Sequence, residues 1–272
     1  MKILKPTIGR HDGSSFRELL DMWAEEGYCE VVENTECVPY HYADETLFPE
    51  AHPWINKVGG IMLYDMPLLD KLHDRLSWEM ALWANEVHQG KNSYPWIFWP
   101  KHSKIHAKVR RNGIVKYDDR EGESVFIGSF TTPARAQFTT DAWQAAIQLY
   151  WLGRPGEQWL EHEKYLKVLG CFKYGLCLPG VGPKCLRDVE LMGLGTVPIF
   201  TPGVSCEYYD PPVRDQHFLF ASSAEDIPEV IASCSKEKWE YMSNECIQWF
   251  KRNASARGSF ETTQRIIETH KK

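Results

Sequence analysis

Leu178-Pro179-Gly180-Val181-Gly182-Pro183-Lys184-Cys185-Leu186-Arg187-Asp188-Val189-Glu190 reads as a strand end, a glycine turn and a helix start. A strand over 174–178 would run into two glycines that accept φ > 0 without a Cβ clash. Pro183 suits the first helical turn, where its missing N–H costs nothing. The open N–H groups and positive dipole end of such a helix make a seat for phosphate. Lys184, Arg187 and Glu190 follow at i, i+3 and i+6, within about 120° of arc. Leu186, Val189 and Gly193 point the other way, toward a sheet. Basic groups for phosphates, with a carboxylate one turn deeper for sugar hydroxyls, suit a nucleotide diphosphate. The same spacing also describes a solvated helix face with weak ion pairs, so the surroundings have to decide.

Strand and helix alternate on both sides of this stretch. Upstream, Ser124-Val125-Phe126-Ile127-Gly128-Ser129-Phe130 reads as a buried strand that ends in a Gly/Ser/Thr turn. Residues 143–151 fit helix or strand, and 157–169 fit helix. Downstream, 196–200 and 218–220 read as strands, followed by helices over about 224–233, 236–253 and 259–269. In the first half, Ser14-Ser15 cap an amphipathic helix that Gly27 ends, and 29–32 form a short strand. Residues 33–58 are polar, aromatic and irregular. Gly59-Gly60-Ile61-Met62-Leu63-Tyr64-Asp65 has the continuous apolar run of a buried parallel strand. Pro67 then opens a helix expected to reach about Val87, and 94–99 is a further strand. The charged stretch over 101–123 carries the crossing between halves. The reading is α/β, with parallel sheets in domains over 1–120 and 121–272.

Bulk properties remove several classes of function. Lys and Arg number 31 against 37 Asp and Glu, a formal charge of −6, whereas a duplex binder needs a basic surface. The eight cysteines show no C-x-x-C pair and no Cys/His zinc spacing, which points to a reducing compartment rather than a disulfide framework. No N-terminal apolar segment and no run of ~18 apolar residues is present. The expectation is a soluble, cytoplasmic protein without a membrane span. The 11 tryptophans could serve cores, interfaces or sugar-stacking platforms alike.

From Ser124 onward the chain resembles the donor-binding half of exostosin-like GT-B glycosyltransferases. Four passages carry the resemblance: Ser124–Phe130 with Arg135; Phe172-Lys-Tyr-Gly-Leu-Cys-Leu-Pro-Gly180; Arg187-Asp-Val-Glu190-Leu-Met-Gly193-Leu-Gly195-Thr-Val-Pro198-Ile; and the helices around Trp239 and Trp249. The third is the most specific. The size and short first half are also similar to small exostosin-like xylosyltransferases encoded by large DNA viruses of algae, whose setting would be the host cytoplasm. The resemblance implies two Rossmann-type parallel-sheet domains facing a cleft, with the acceptor-side one abbreviated. It implies an inverting, metal-independent transfer of a sugar from a nucleotide donor, UDP-linked, to a glycan hydroxyl, with no cofactor.

Transfer builds negative charge on the leaving phosphates, which preorganised cations and N–H dipoles stabilise. Arg187 is the catalytic cation. Lys184, Gly128, Arg135, Gly180 and Gly182 complete the donor seat, since the planar fork of Arg binds phosphate oxygens bidentately. Glu190 either accepts ribose hydroxyls or pairs with Arg187 structurally. Inversion asks for a general base from across the cleft. Asp65, at the carboxyl end of a buried strand, is the first candidate, although it could instead cap the helix opened by Pro67. His41, Asp44, Glu45 and His106 stand in reserve, and His41, Tyr208, Tyr209 and Arg214 are acceptor-side candidates. A catalytically inactive nucleotide-sugar or glycan-binding module remains the alternative. A dinucleotide oxidoreductase is disfavoured because no G-x-G-x-x-G follows a strand.

Overall fold

The computed structural model describes residues 2–4, 13–32, 61–64, 80–84, 92–129, 133–153, 160–180 and 182–270. Asp65, His41, Asp44, Glu45 and the helix expected from Pro67 to residue 79 lie outside them.

The second half is built on a five-stranded sheet, all of whose pairings are parallel. Its strands are β6 (Gly122–Ser129), β7 (Leu149–Gly153), β8 (Phe172–Cys177), β9 (Val197–Phe200) and β10 (Leu219–Phe220), in the spatial order β7-β6-β8-β9-β10. The chain moves outward from β6 to β7, then returns across β6 to β8. That reversal is a switch point at the carboxyl ends of β6 and β8, the place where α/β sheets hold their ligand-binding crevice.

Alternation along each strand gives the sheet two apolar faces. Phe126, Tyr174, Leu176, Val197 and Ile199 join Trp143, Trp239 and Met242 in one core. Val125, Ile127, Cys177 and Phe200 join Leu166, Leu169, Val189 and Leu191 in the other. The ambiguous segment over 143–151 resolves into helix α3 (Asp141–Ala146) followed by β7. Helix α4 (His162–Gly170) packs on β6 and β8, and α5 (Leu186–Gly193) on β8 and β9.

Beneath the sheet, Arg120 is a buried guanidinium without an acidic hydrogen-bond partner among the described residues. It donates to the carbonyls of Val115, Gly170, Phe172, Leu194 and Gly195 and to the Thr196 hydroxyl. Gly170 and Leu194 lie at the C-terminal ends of α4 and α5, where the helix dipoles are negative. The cation therefore answers two dipoles and the unsatisfied carbonyls of two helix ends together.

Among the described residues the first half contributes two small parallel sheets, β1 (Lys2–Leu4) with β2 (Glu30–Val32), and β3 (Ile61–Tyr64), β4 (Met80–Trp83) and β5 (Ser93–Pro95) in that order. Met80–Trp83 corrects the expected helix through Val87. Four apolar residues in a row satisfy helical spacing and strand pairing alike, and pairing with Ile61–Tyr64 prevails. The expected strand over 94–99 is likewise short: β5 stops at Pro95, and Trp96–Pro100 continues as a buried irregular run.

Helices α1 (Gly13–Glu25) and α2 (Ser103–Arg111) meet α8 (Ala256–His270), which follows α7 (Lys236–Asn253). Here the tryptophans show their role. Trp23 Nε1 donates to Ser259 Oγ at 2.9 Å and Trp96 Nε1 to Thr263 Oγ1 at 2.8 Å, both buried. Phe260 stacks on Tyr28 with ring centres 5.4 Å apart. The last helix of the chain thus closes the core of the first half. Every cysteine among the described residues is a free thiol, and no described helix is long and apolar enough to cross a membrane.

Candidate donor site

Helix α5 begins at Leu186, with Cys185 as its N-cap. Pro183 therefore precedes the helix instead of opening it, and Lys184 does not share a helical face with Arg187 and Glu190. The three side chains diverge.

Arg187 turns back under the end of β6. Its Nε donates to the Ile127 carbonyl at 3.1 Å, and the guanidinium lies over the Phe126 ring, 4.4 Å from its centre. Nη1 is buried without a hydrogen-bond partner. Gly128 makes this position possible: a Cβ there would overlap Arg187 Nη2 and stand 2.9 Å from Phe126 Cζ.

Arg135 reaches the same crevice from the 3₁₀ turn Pro133–Phe138 after β6. It donates to Ser129 O at 2.6 Å and Pro179 O at 3.0 Å, and Nη2 lies 3.5 Å from Cys185 Sγ. Burial first, and the neighbouring Arg187 second, lower the pKa of its guanidinium. Gly180 provides close approach rather than a left-handed turn: its φ is not positive, and a Cβ would sit 2.8 Å from Cys185 Sγ and 3.3 Å from Arg135 Nη2. Gly182 is buried, and its carbonyl accepts from Gly180 N at 2.9 Å.

Asp188, which sequence reasoning missed, sits in the first turn of α5. One oxygen accepts from Cys185 N at 2.8 Å, and Oδ1 is buried without a hydrogen-bond partner. Burial lifts its carboxyl to about 6, against the pull of the Cys185 amide and the Cys177 thiol and, behind them, of Arg187 and Arg135. The available signal was Cys185-x-x-Asp188, a capping-box spacing with an uncommon cap residue.

Lys184 points across to the first half. Nζ donates to the carbonyls of Ala84, just beyond β4, and Glu207, and lies 4.6 Å from the centre of the Tyr208 ring. Tyr208 is buried with its edge against Trp249, and Tyr209 N donates to Trp96 O at 3.3 Å. Arg214 is exposed and lies 5.3 Å from the centre of the Phe220 ring.

Glu190 points to the other flank of α5. Its carboxylate accepts from Lys101 N at 2.9 Å and Tyr165 Oη at 3.3 Å, and lies 3.4 Å from His162 Nε2. Burial opposes its charge, yet His162, His106 and the Lys101 amide hold its pKa below the usual range. No ion pair joins it to Arg187 among the described residues. His106, expected in a loop, is a buried residue of α2 whose Nε2 lies 3.0 Å from Glu190 O.

The architecture of the chain finds counterparts in solved structures. The structure superposes on sucrose-phosphate synthase from Thermosynechococcus elongatus with a TM-score of 0.50 and 10% identity, covering 98% of each chain. It superposes equally on Anabaena HepE, determined in complex with UDP and glucose, with a TM-score of 0.50, 10% identity, and 98% of this chain against 99% of that one. The fold is GT-B-like. No family model matches the chain, and no curated protein does. Within the GT-B-like frame, Gly128, Arg135, Gly180, Gly182 and Arg187 gather at the carboxyl edge of the second sheet. Lys184 and Glu190 lead from that edge to the first half, to Ala84 and Lys101.

Proposed function

We propose that this protein is a glycosyltransferase that moves a sugar from a nucleotide diphosphate donor, UDP-linked, to a glycan hydroxyl. One observation carries the reading. Two buried guanidiniums, Arg135 and Arg187, stand at the crevice of a GT-B-like sheet, and Arg187 keeps an unbonded Nη1 there. Burying charge with donors left over is costly, and a diphosphate supplies the missing acceptors. Both guanidiniums are already held by carbonyls, so they need little reorganisation as charge builds on the leaving group. In this reading the cations, not a metal, stabilise the leaving diphosphate.

Glu190, an ionised carboxylate one turn beyond Arg187, is the group for ribose hydroxyls. To take them it would exchange one of its present partners, His162 at 3.4 Å and Tyr165 at 3.3 Å being the longer contacts. Inversion with Asp65 as base, and a pentose such as xylose as the transferred sugar, rest on the exostosin-like passages.

The test is thermal shift with UDP, GDP and NAD, followed by a product assay over a panel of UDP-sugars. Only a ligand of the native state raises its stability. Stabilisation by UDP with sugar transfer is the expected result. Stabilisation without turnover would reassign the chain as a binding module, and stabilisation by NAD alone would overturn the reading.

A further inference from the structure

The donor seat contains a negative charge where a phosphate is expected. Asp188 lies in the first turn of α5, buried, with one oxygen on the Cys185 amide and the other unbonded. It is faced by the Cys177 thiol from β8, the Cys185 thiol from its own cap, Cys206 and Tyr208 from the loop after β9, and the guanidiniums of Arg135 and Arg187. Beyond Cys206 stands Lys184, held on the Ala84 and Glu207 carbonyls. The guanidinium of Arg135 reaches the cap that Asp188 holds, with Nη2 3.5 Å from Cys185 Sγ, and Arg187 is the adjoining residue of the same helix turn. The remaining neighbours are neutral thiols and a phenol kept protonated by burial.

We infer that Asp188 is the resident counter-ion of the donor seat and takes up a proton when a nucleotide diphosphate binds. The inference rests on the donor reading above. With the seat empty, the carboxylate offsets part of the arginine charge. A diphosphate diester brings two negative charges, which more than replaces that contribution. The carboxylate would then be an excess anion in a water-poor site, and protonation removes the repulsion. Binding and protonation are linked reciprocally, so the diphosphate must bind more tightly as the proton becomes more available. The side chain already begins near the required state, because burial has lifted its carboxyl to about 6 before any ligand arrives. Its hydrogen bond to Cys185 N survives protonation, since the carbonyl oxygen of the acid can keep accepting it. The helix cap is thus preserved while the charge disappears.

Asp188→Asn imitates the protonated side chain in shape and charge and keeps an oxygen for the cap. Titration calorimetry near pH 7 with the β-methyl ester of UDP, in buffers of low and high ionisation enthalpy, measures protons taken up on binding. This diphosphate diester has no phosphate proton to lose near neutrality, so proton uptake reports on the protein. The expected result is uptake by the wild type and none by D188N. The wild-type affinity should fall roughly tenfold relative to D188N as pH rises through neutrality, the size of about one pKa unit of coupling. Equal proton uptake and parallel pH profiles in the two proteins would overturn the inference. Should D188N not fold by circular dichroism, the wild type decides alone, and zero uptake or net release overturns it. Failure of the wild type to bind UDP is a separate outcome that overturns the donor reading and this inference with it.

Discussion

Arg187 is a buried guanidinium with one nitrogen left without a hydrogen-bond partner. Nε is committed to Ile127 O, the planar face rests on Phe126, and Nη1 has no partner. A fork held from behind with Nη1 unbonded is preorganised for a diphosphate. Arg187→Ala should lower transfer by roughly 100-fold or more, the scale seen when a charge-stabilising donor is removed from an active site. UDP calorimetry and initial rates would check this, and unchanged kinetics would remove the residue from the site. Gly128→Ala tests the same point without touching the charge. Its Cβ would overlap Arg187 Nη2, so the guanidinium must move and UDP affinity should fall; wild-type affinity would refute the positional argument. Asp65→Asn should abolish transfer while leaving UDP affinity intact, and retained transfer would pass the base to another acid or histidine. That Arg187, Arg135 and the glycines stand near strand ends was legible in the sequence, because each follows an apolar run closely. Asp188 and the Phe126 shelf were not, because their meaning depends on which residues the chain reversal brings opposite them.

Element by element, the sequence was most readable where one signal acts alone. Strands β6, β8 and β9 are short apolar runs bounded by glycine or polar residues, and helix α7 coincides with the expected 236–253. Reading failed where tertiary pairing competes with local pattern: Met80–Trp83 continued a helical spacing yet pairs as a strand. The start of α5 was misplaced by three residues because cysteine is not a favoured cap, whereas Pro183 is a favoured first-turn residue. His106 on α2 illustrates a further blind spot. It packs between α5 and α7, with Nε2 on Glu190 O and its ring 4.8 Å from Phe250. Burial, only partly offset by Glu190, pushes its pKa down to about 4. The unfolded chain binds the proton near the ordinary histidine value, so νU exceeds νN between about 4 and 6.5, and stability falls as pH drops through that window. The full loss is on the order of 3 kcal/mol. Urea unfolding of the wild type and His106→Gln at about pH 7 and pH 4.5 would measure it. A pH slope identical in both proteins would exclude His106 as the source.

At the scale of the molecule, the two halves are joined through α8 as well as through the site. Trp23 and Trp96 from the first half are hydrogen-bonded to Ser259 and Thr263, and Phe260 packs against Trp23 and Tyr28. This clamp was beyond sequence reading because its partners are 236 and 167 residues apart, and periodicity reports which face of a helix is apolar without saying what covers it. The direction of α8 depends on a tight corner after α7. A Cβ at Gly258 would overlap the Lys251 carbonyl and lie 2.6 Å from the carbonyl carbon of Arg252. Both obstacles are backbone, so no side-chain rotation can relieve them. Gly258→Ala must therefore separate the end of α7 from the start of α8, moving Ser259 and Phe260 away from Trp23. The expected cost is about 1–3 kcal/mol from overpacking, with the added loss of a buried indole hydrogen bond. Because the damage falls on the first-half core and not on the crevice at β6 and β8, UDP affinity at low temperature should persist while the melting temperature falls and tryptophan fluorescence shifts to the red. A Gly258→Ala protein that melts with the wild type would show that the corner has room to yield and that α8 does not hold the halves together.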